Sequence, residues 1–235
     1  MNKNLLSLLK QQPLRSQLIS HPFLKKMRSN KLLSQQVIVI LAQWYHPLHH
    51  FPVFLSQLIS ILPTLSMQTY ISKILWQELG EGNPRRAHED IYISSMVNLG
   101  FERDSFINIL PLSATENLIN GYKQSIQEGY LAALGFVFGT EVADLAMVSA
   151  IGYSIRALKN VKHIEWVDIH VQQEPDHVQS VDCTLEEQLF TLSDKQQIVN
   201  NAAEMWQLWI NFFNSLEKEI SQEEGSVCTL KQLAI

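Results

Sequence analysis

The 235-residue sequence predicts an all-α, single-domain protein, and three observations predict it. Glycine (9) and proline (8) are sparse. Between them the apolar residues recur mostly at three- and four-residue spacing, the period of an amphipathic helix. Hydrophobic residues make up 46% of the chain and charged ones 17%, enough to fill one core, with no internal repeat and no Ser/Gly/Pro-rich linker to divide it.

The elements follow in order. Leu5, Leu6, Leu8 and Leu9 open a helix, which Lys10, Gln11 and Gln12 cut too short for a signal peptide. Helices are expected over 29–44, 47–61, 64–79 and 84–99, the last two parted by the turn sequence Gly80-Glu81-Gly82-Asn83-Pro84. A longer helix is expected over 121–159. Ile198, Ala202, Met205, Trp209, Phe212, Leu216 and Ile220 form a single stripe over 194–222, with Ser193 and Gln196 as its capping box. The domain is therefore drawn over 1–222, with 223–235 as a loose tail. The continuous apolar runs, 37–42 and 130–138, are shorter than the roughly eighteen residues that cross a bilayer, so no membrane partner is expected.

A formal charge of -5 lacks the basic excess that phosphate neutralisation demands, which argues against nucleic acid. Cys183 and Cys228 stand far apart without a C-x-x-C, giving neither a disulfide framework nor a thiolate zinc site; a reducing cytoplasm fits. The low charge fraction points to surface covered by a second copy, hence a homodimer.

Chemistry begins with acids where a core pattern should have none. Glu141 shares its helical face with Leu134, Val137, Phe138, Leu145 and Val148, and Glu78 shares one with Ile71, Ile74 and Leu75. Burying a bare carboxylate costs several kcal/mol unless a cation meets it; a salt bridge or a protonated acid would also serve. His170, Glu174 and His177 lie within about 60° of one another around a helix and can address one point. His88 opens its helix and is returned beside Glu78 by the Gly-rich turn. Imidazole nitrogen with carboxylate oxygen is a ligand set for iron or manganese. Three histidines and three carboxylates suffice for two such ions, with positions open for dioxygen and substrate.

With these residues the sequence resembles the haem-oxygenase-like dimetal oxidases and oxygenases, mostly diiron. The marks are the E-L-G-x-G-x-P…H segment from Glu78 to His88, the lone Glu141, and His170-x-x-x-Glu174-x-x-His177. The resemblance implies a haem-oxygenase-like bundle of about seven helices, with Glu78, His88, Glu141, His170, Glu174 and His177 as ligands to two iron ions. It implies an enzyme of specialised metabolism that activates O2 to oxidise an amino acid or amino-acid-derived small molecule. N-oxygenation, oxidative C–C cleavage or nitrile formation from a tryptophan-like amino acid are the reaction types. The alternatives are a metal-free enzyme of the same fold, of the thiaminase or pyrroloquinoline-quinone type, and a helical protein-interaction module.

Two departures from the family pattern stand out. Glu174 occupies a position where many relatives carry Asp. Pro175 removes a backbone donor and is expected to break or kink the ligand helix. The tyrosine that follows the N-terminal histidine in the p-aminobenzoate-forming branch is replaced here by Leu24, after His21. Glu81 competes with Glu78 as a ligand, and His46, His49 and His50 form a separate cluster with no acid nearby in sequence. Gly135 and Gly139 are expected to leave room beside the metals, and Arg85, Arg86 and Arg156 are candidate clamps for a substrate carboxylate.

Overall fold

The computed structural model describes residues 5–29, 32–186 and 190–232, with the side chains of residues 174, 185, 186 and 222–232 outside the description. All regular structure among the described residues is helical. Four short segments, α1 (Leu5–Lys10), α2 (Pro13–Ile19), α3 (Pro22–Ser29) and α7 (Asp104–Ile107), surround seven longer ones. These are α4 (Ser34–Ile61), α5 (Leu65–Glu78), α6 (His88–Asn98), α8 (Ser113–Glu128), α9 (Tyr130–Lys159), α10 (Glu165–Glu186) and α11 (Leu192–Gln232). The seven long helices carry the expected bundle, and a 3-10 turn at Pro84–Arg86 precedes α6.

The axis of the bundle is α9. Every residue from Ala132 to Ala143 is buried, because α11, α10, α8, α4 and α3 all lie against it. By length and composition α9 is apolar enough to cross a membrane once its two acids are tolerated, although its continuous apolar runs are short; most of that stretch is buried inside the bundle. Trp206 on α11 donates its indole N–H to the Gly139 carbonyl at 2.8 Å, tying the two helices together.

Several expected boundaries move, each for a local reason. The helix expected over 121–159 is two, α8 and α9, because Gly129 sits at φ 108° and turns the chain between them. The helices expected over 29–44 and 47–61 are one, α4, with Pro47 and Pro52 inside it. Each proline removes one ladder bond, but burial of Gln43, Trp44, Pro47 and Phe54 on the core side keeps the helix running. The α11 cap lies two residues earlier than expected. Thr191 N–H donates to Asp194 Oδ2 at 2.9 Å and Asp194 N–H to Thr191 Oγ1 at 3.2 Å, a capping box in which an aspartate serves. The α11 backbone continues as helix to Gln232, past the expected boundary at 222; the side chains of the expected tail lie outside the described residues.

Candidate metal centre

Local backbone chemistry brings Glu78 and His88 together. Glu78 is the last residue of α5, and Gly80, Glu81 and Gly82 follow with φ of 83°, 56° and 86°. At Gly80 a Cβ would stand 2.3 Å from Asn83 O and 2.5 Å from Ala87 N, so only glycine closes the turn this tightly. The chain doubles back through Pro84–Arg86 and begins α6 on His88, whose Nδ1 lies 2.9 Å from Glu78 Oε2, off the line of a hydrogen bond. Glu81, at the tip of the turn, is exposed.

The facing wall comes from α9 and α10. Glu141 Oε2 is 3.0 Å from His177 Nδ1, and both side chains are buried. His170 donates Nδ1–H to the Trp166 carbonyl one turn back, at 2.7 Å, which leaves Nε2 as a lone pair. Glu78, His88, Glu141, His170 and His177 retain 5, 1, 2, 8 and 4% of their exposure. Glu78, Glu141, His170 and His177 line a single cavity of about 40 Å³, and His88 stands on Glu78 and meets the His170 ring at 4.7 Å. Glu174 belongs to α10, but its side chain lies outside the described residues. No break occurs at Pro175. The helix is continuous from Glu165 to Glu186, and Pro175 lies on its exposed side, where water can take the carbonyl that Pro leaves unbonded.

The electrostatics follow from burial and pairing. Burial alone would raise the Glu78 carboxyl, but the charges of His88, His177 and His170 hold it down to about 2. Burial lowers His177, yet Glu141, Glu78 and Asp144 together push it up to about 9, and Glu78 raises His88 in the same way. His170 goes the other way: burial, reinforced by His88, lowers it to about 4, so it is a neutral imidazole at pH 7.

Iron suits this donor set. The groups are imidazole and carboxylate, the His170 tautomer is fixed by Trp166, and His177 Nε2 is buried with no hydrogen-bond partner although its residue lines the cavity. No three of the described His, Cys, Asp and Glu side chains converge closely enough to hold an ion as they stand. The acids and bases are closed on each other instead, and a metal ion would replace the protons that those pairs share. Metal affinity is therefore expected to rise with pH, up to about 9 where His177 gives up its proton, by about tenfold per pH unit for each proton displaced, and His88, raised by Glu78, adds in the same direction. Titration with Fe(II) or Co(II), with protons counted by calorimetry in two buffers, measures this. A flat profile would remove both histidines from the ligand set.

Two participants were not read from the sequence. Gln173 Oε1 accepts from His88 Nε2 at 2.8 Å, fixing that ring with Nδ1 toward Glu78; no spacing rule singles out a glutamine. Asp144 lines the cavity three residues after Glu141, an i, i+3 relation legible once Glu141 is recognised.

Aromatic and apolar side chains close the remainder of the cavity: Trp44, Pro47, Leu48 and Phe51 from α4, Tyr122 from α8 and Trp209 from α11. The indole N–H of Trp44 is buried without a partner, and that of Trp209 lies beside the Tyr122 hydroxyl. Trp206, Phe212 and Phe213 are core, as their spacing predicts. Gly135 and Gly139 do not open space at the site. They face α11, where a Cβ on Gly135 would meet Ile198 O and Asn201 Cβ at 2.6 Å and one on Gly139 would meet the Ala202 backbone at 3.3 Å. None of the three arginines lines the cavity: Arg85 and Arg86 are exposed, and Arg156 bonds Asp168 and the Lys162 carbonyl. The histidine cluster on α4 disperses. His46 bonds the Ile109 carbonyl, and His49 joins Tyr45 on Glu89, an acid from α6 that the sequence does not place near it. His21 is a helix cap: Nδ1 accepts from Phe23 N–H at the start of α3, and Nε2 meets Asn214.

A comparison with curated proteins finds no match. Among solved structures, a domain of unknown function with a heme oxygenase-like fold from Shewanella denitrificans is 19% identical, with a TM-score of 0.74 over 90% of this chain and 90% of that one. A CADD-like protein of unknown function from Nostoc punctiforme is 13% identical, with a TM-score of 0.77 over 92% and 98%. A TenA homologue from Pseudomonas syringae is 14% identical, with a TM-score of 0.69 over 88% and 88%. At these identities the likeness is one of fold, which is heme oxygenase-like. The family of iron-containing redox enzymes matches residues 39–210, a span from α4 into α11 that holds every side chain lining the cavity, and the chain belongs to that family.

Proposed function

We propose that the protein is a non-haem diiron oxidase or oxygenase that uses dioxygen to oxidise an amino acid or a molecule derived from one. One observation carries the reading: two buried carboxylate–histidine pairs, Glu78 with His88 and Glu141 with His177, meet around a cavity closed on its other side by aromatic rings. Glu78, His88, Glu141, His170, Glu174 and His177 would hold the metal. Two ferrous ions bound there supply the electrons that reduce dioxygen. The chain's own residues do the rest. Trp166 holds His170 in the tautomer that binds metal, and Gln173 orients His88. Trp44, Phe51, Tyr122 and Trp209 keep bulk water from the reacting groups. The unpartnered Trp44 N–H is a donor for an acceptor group on the substrate, in place of an arginine clamp. The cavity, at about 40 Å³, is small, and α4 supplies four of the residues that line it, so the α4 side chains set the size of what can enter.

The test loads the protein with Fe(II) anaerobically, then offers oxygen and an amino-acid panel, following oxygen uptake and products by mass spectrometry. Two irons per chain and substrate-dependent oxygen consumption are expected. Turnover that persists in chelator without bound iron would establish a metal-free enzyme instead.

A further inference from the structure

We propose that Asp144 is a metal-binding carboxylate of this site, a fourth acid that joins Glu78, Glu141 and Glu174 so that two divalent ions are fully neutralised. The inference rests on the diiron reading above and adds to it a residue outside the six-ligand pattern.

Three observations lead there. Asp144 follows Glu141 by three residues on α9, so the two project from neighbouring positions on one helical face, and both line the cavity with Glu78, His170 and His177. An i, i+3 pair on one helix is a known way for a bundle to present two ligands to one centre. Second, no Lys or Arg is among the residues lining the cavity, so nothing of fixed positive charge answers the third carboxylate. The histidines answer the other two: His88 stands on Glu78 and His177 on Glu141. Burial, with the charges of Glu141 and Glu78, pushes the Asp144 carboxyl up, and His177 and His88, each already facing a glutamate, offset this only in part. Third, His177 Nε2, buried and unpartnered, belongs to the same cavity wall and offers a nitrogen donor beside these oxygens.

Charge closes the argument. Three neutral histidines with three carboxylates leave two ferrous ions with one uncompensated positive charge in a buried, apolar-walled site. A fourth carboxylate brings the sum to zero.

The experiment compares wild type, Asp144→Asn, Asp144→Glu and Glu141→Gln by iron content, competition with a calibrated chelator, the ferrous ligand-field spectrum and thermal melting of the metal-free chain. Asp144→Asn is expected to weaken one of the two irons by about tenfold or more and to change the spectrum. Its metal-free melting temperature should be unchanged or higher, since Asn takes the place of an acid that its surroundings already hold largely protonated without metal. Asp144→Glu, which keeps the charge, should retain both irons. Loss of iron in Asp144→Asn accompanied by a destabilised metal-free chain would mark a structural role and overturn the proposal. Unchanged affinity and spectrum in Asp144→Asn, with iron lost from Glu141→Gln, would overturn the role of Asp144 alone. A wild-type chain that binds no iron would overturn the diiron reading, and this proposal with it.

Discussion

Glu141→Ala is expected to lose both irons, or to keep one weakly, and to abolish oxygen uptake. Glu141 is one of two carboxylates that the middle helix sends to the cavity; it faces His177 from α10 and shares the space with Glu78 from α5. A carboxylate at the meeting point of three helices can serve both ions, which is why its removal should cost more than that of a terminal ligand. The substitution also strips His177 of its partner. Breaking a buried pair from one side costs about 3–5 kcal/mol when the remaining charge stays, and less if the imidazole gives up its proton. His177 should do so: without Glu141 burial dominates, so its titration moves down from about 9. Elemental analysis reads the metal, and NMR of the imidazole reads the titration. Two irons per chain with undiminished oxygen uptake would remove Glu141 from the ligand set.

Gly135→Ala is expected to destabilise the metal-free fold by about 2–3 kcal/mol, a melting decrease of roughly 5–10 °C in a chain of this size. The added methyl would stand 2.6 Å from Ile198 O, a backbone atom of α11 that cannot rotate away. The two helices must part, against the anchor that Trp206 makes to Gly139. Gly139→Ala provides the internal control: its methyl would meet Ala202 at 3.3 Å, and a smaller decrease is expected. A rise in melting temperature of similar size at the two positions would show that helix propensity, which favours alanine over glycine, and not contact governs both.

Much of the fold was legible because amphipathic spacing survives in most of the long helices, while α9 is apolar on all sides along its central stretch. The misplaced boundaries fall where tertiary burial overrides a local signal, as at Pro47 in α4, or where one glycine ends a helix that periodicity would continue, as at Gly129. The site was legible for a different reason. Glu78 and Glu141 were conspicuous as acids on apolar faces, and burial with histidine partners is what the structure gives each of them. Asp144 escaped notice because it stands toward the edge of that face, partly exposed beside Leu145, which is itself exposed rather than core. Gln173, neutral and surrounded by polar residues in sequence, carries no anomaly at all; only its contact with His88 reveals it.

The walls of the cavity belong to different helices from most of its acids and bases. Glu78, His88, His170 and His177 come from α5, α6 and α10, whereas Trp44, Pro47, Leu48 and Phe51 come from α4, Tyr122 from α8 and Trp209 from α11. Only α9 contributes to both, through Thr140 beside Glu141. Such a partition lets sequence drift act on the two halves separately. A change of ring or volume along α4 alters which molecules fit while leaving the buried acids and histidines where they are. New substrates can thus be acquired one wall residue at a time, without passing through a form that has lost its metal.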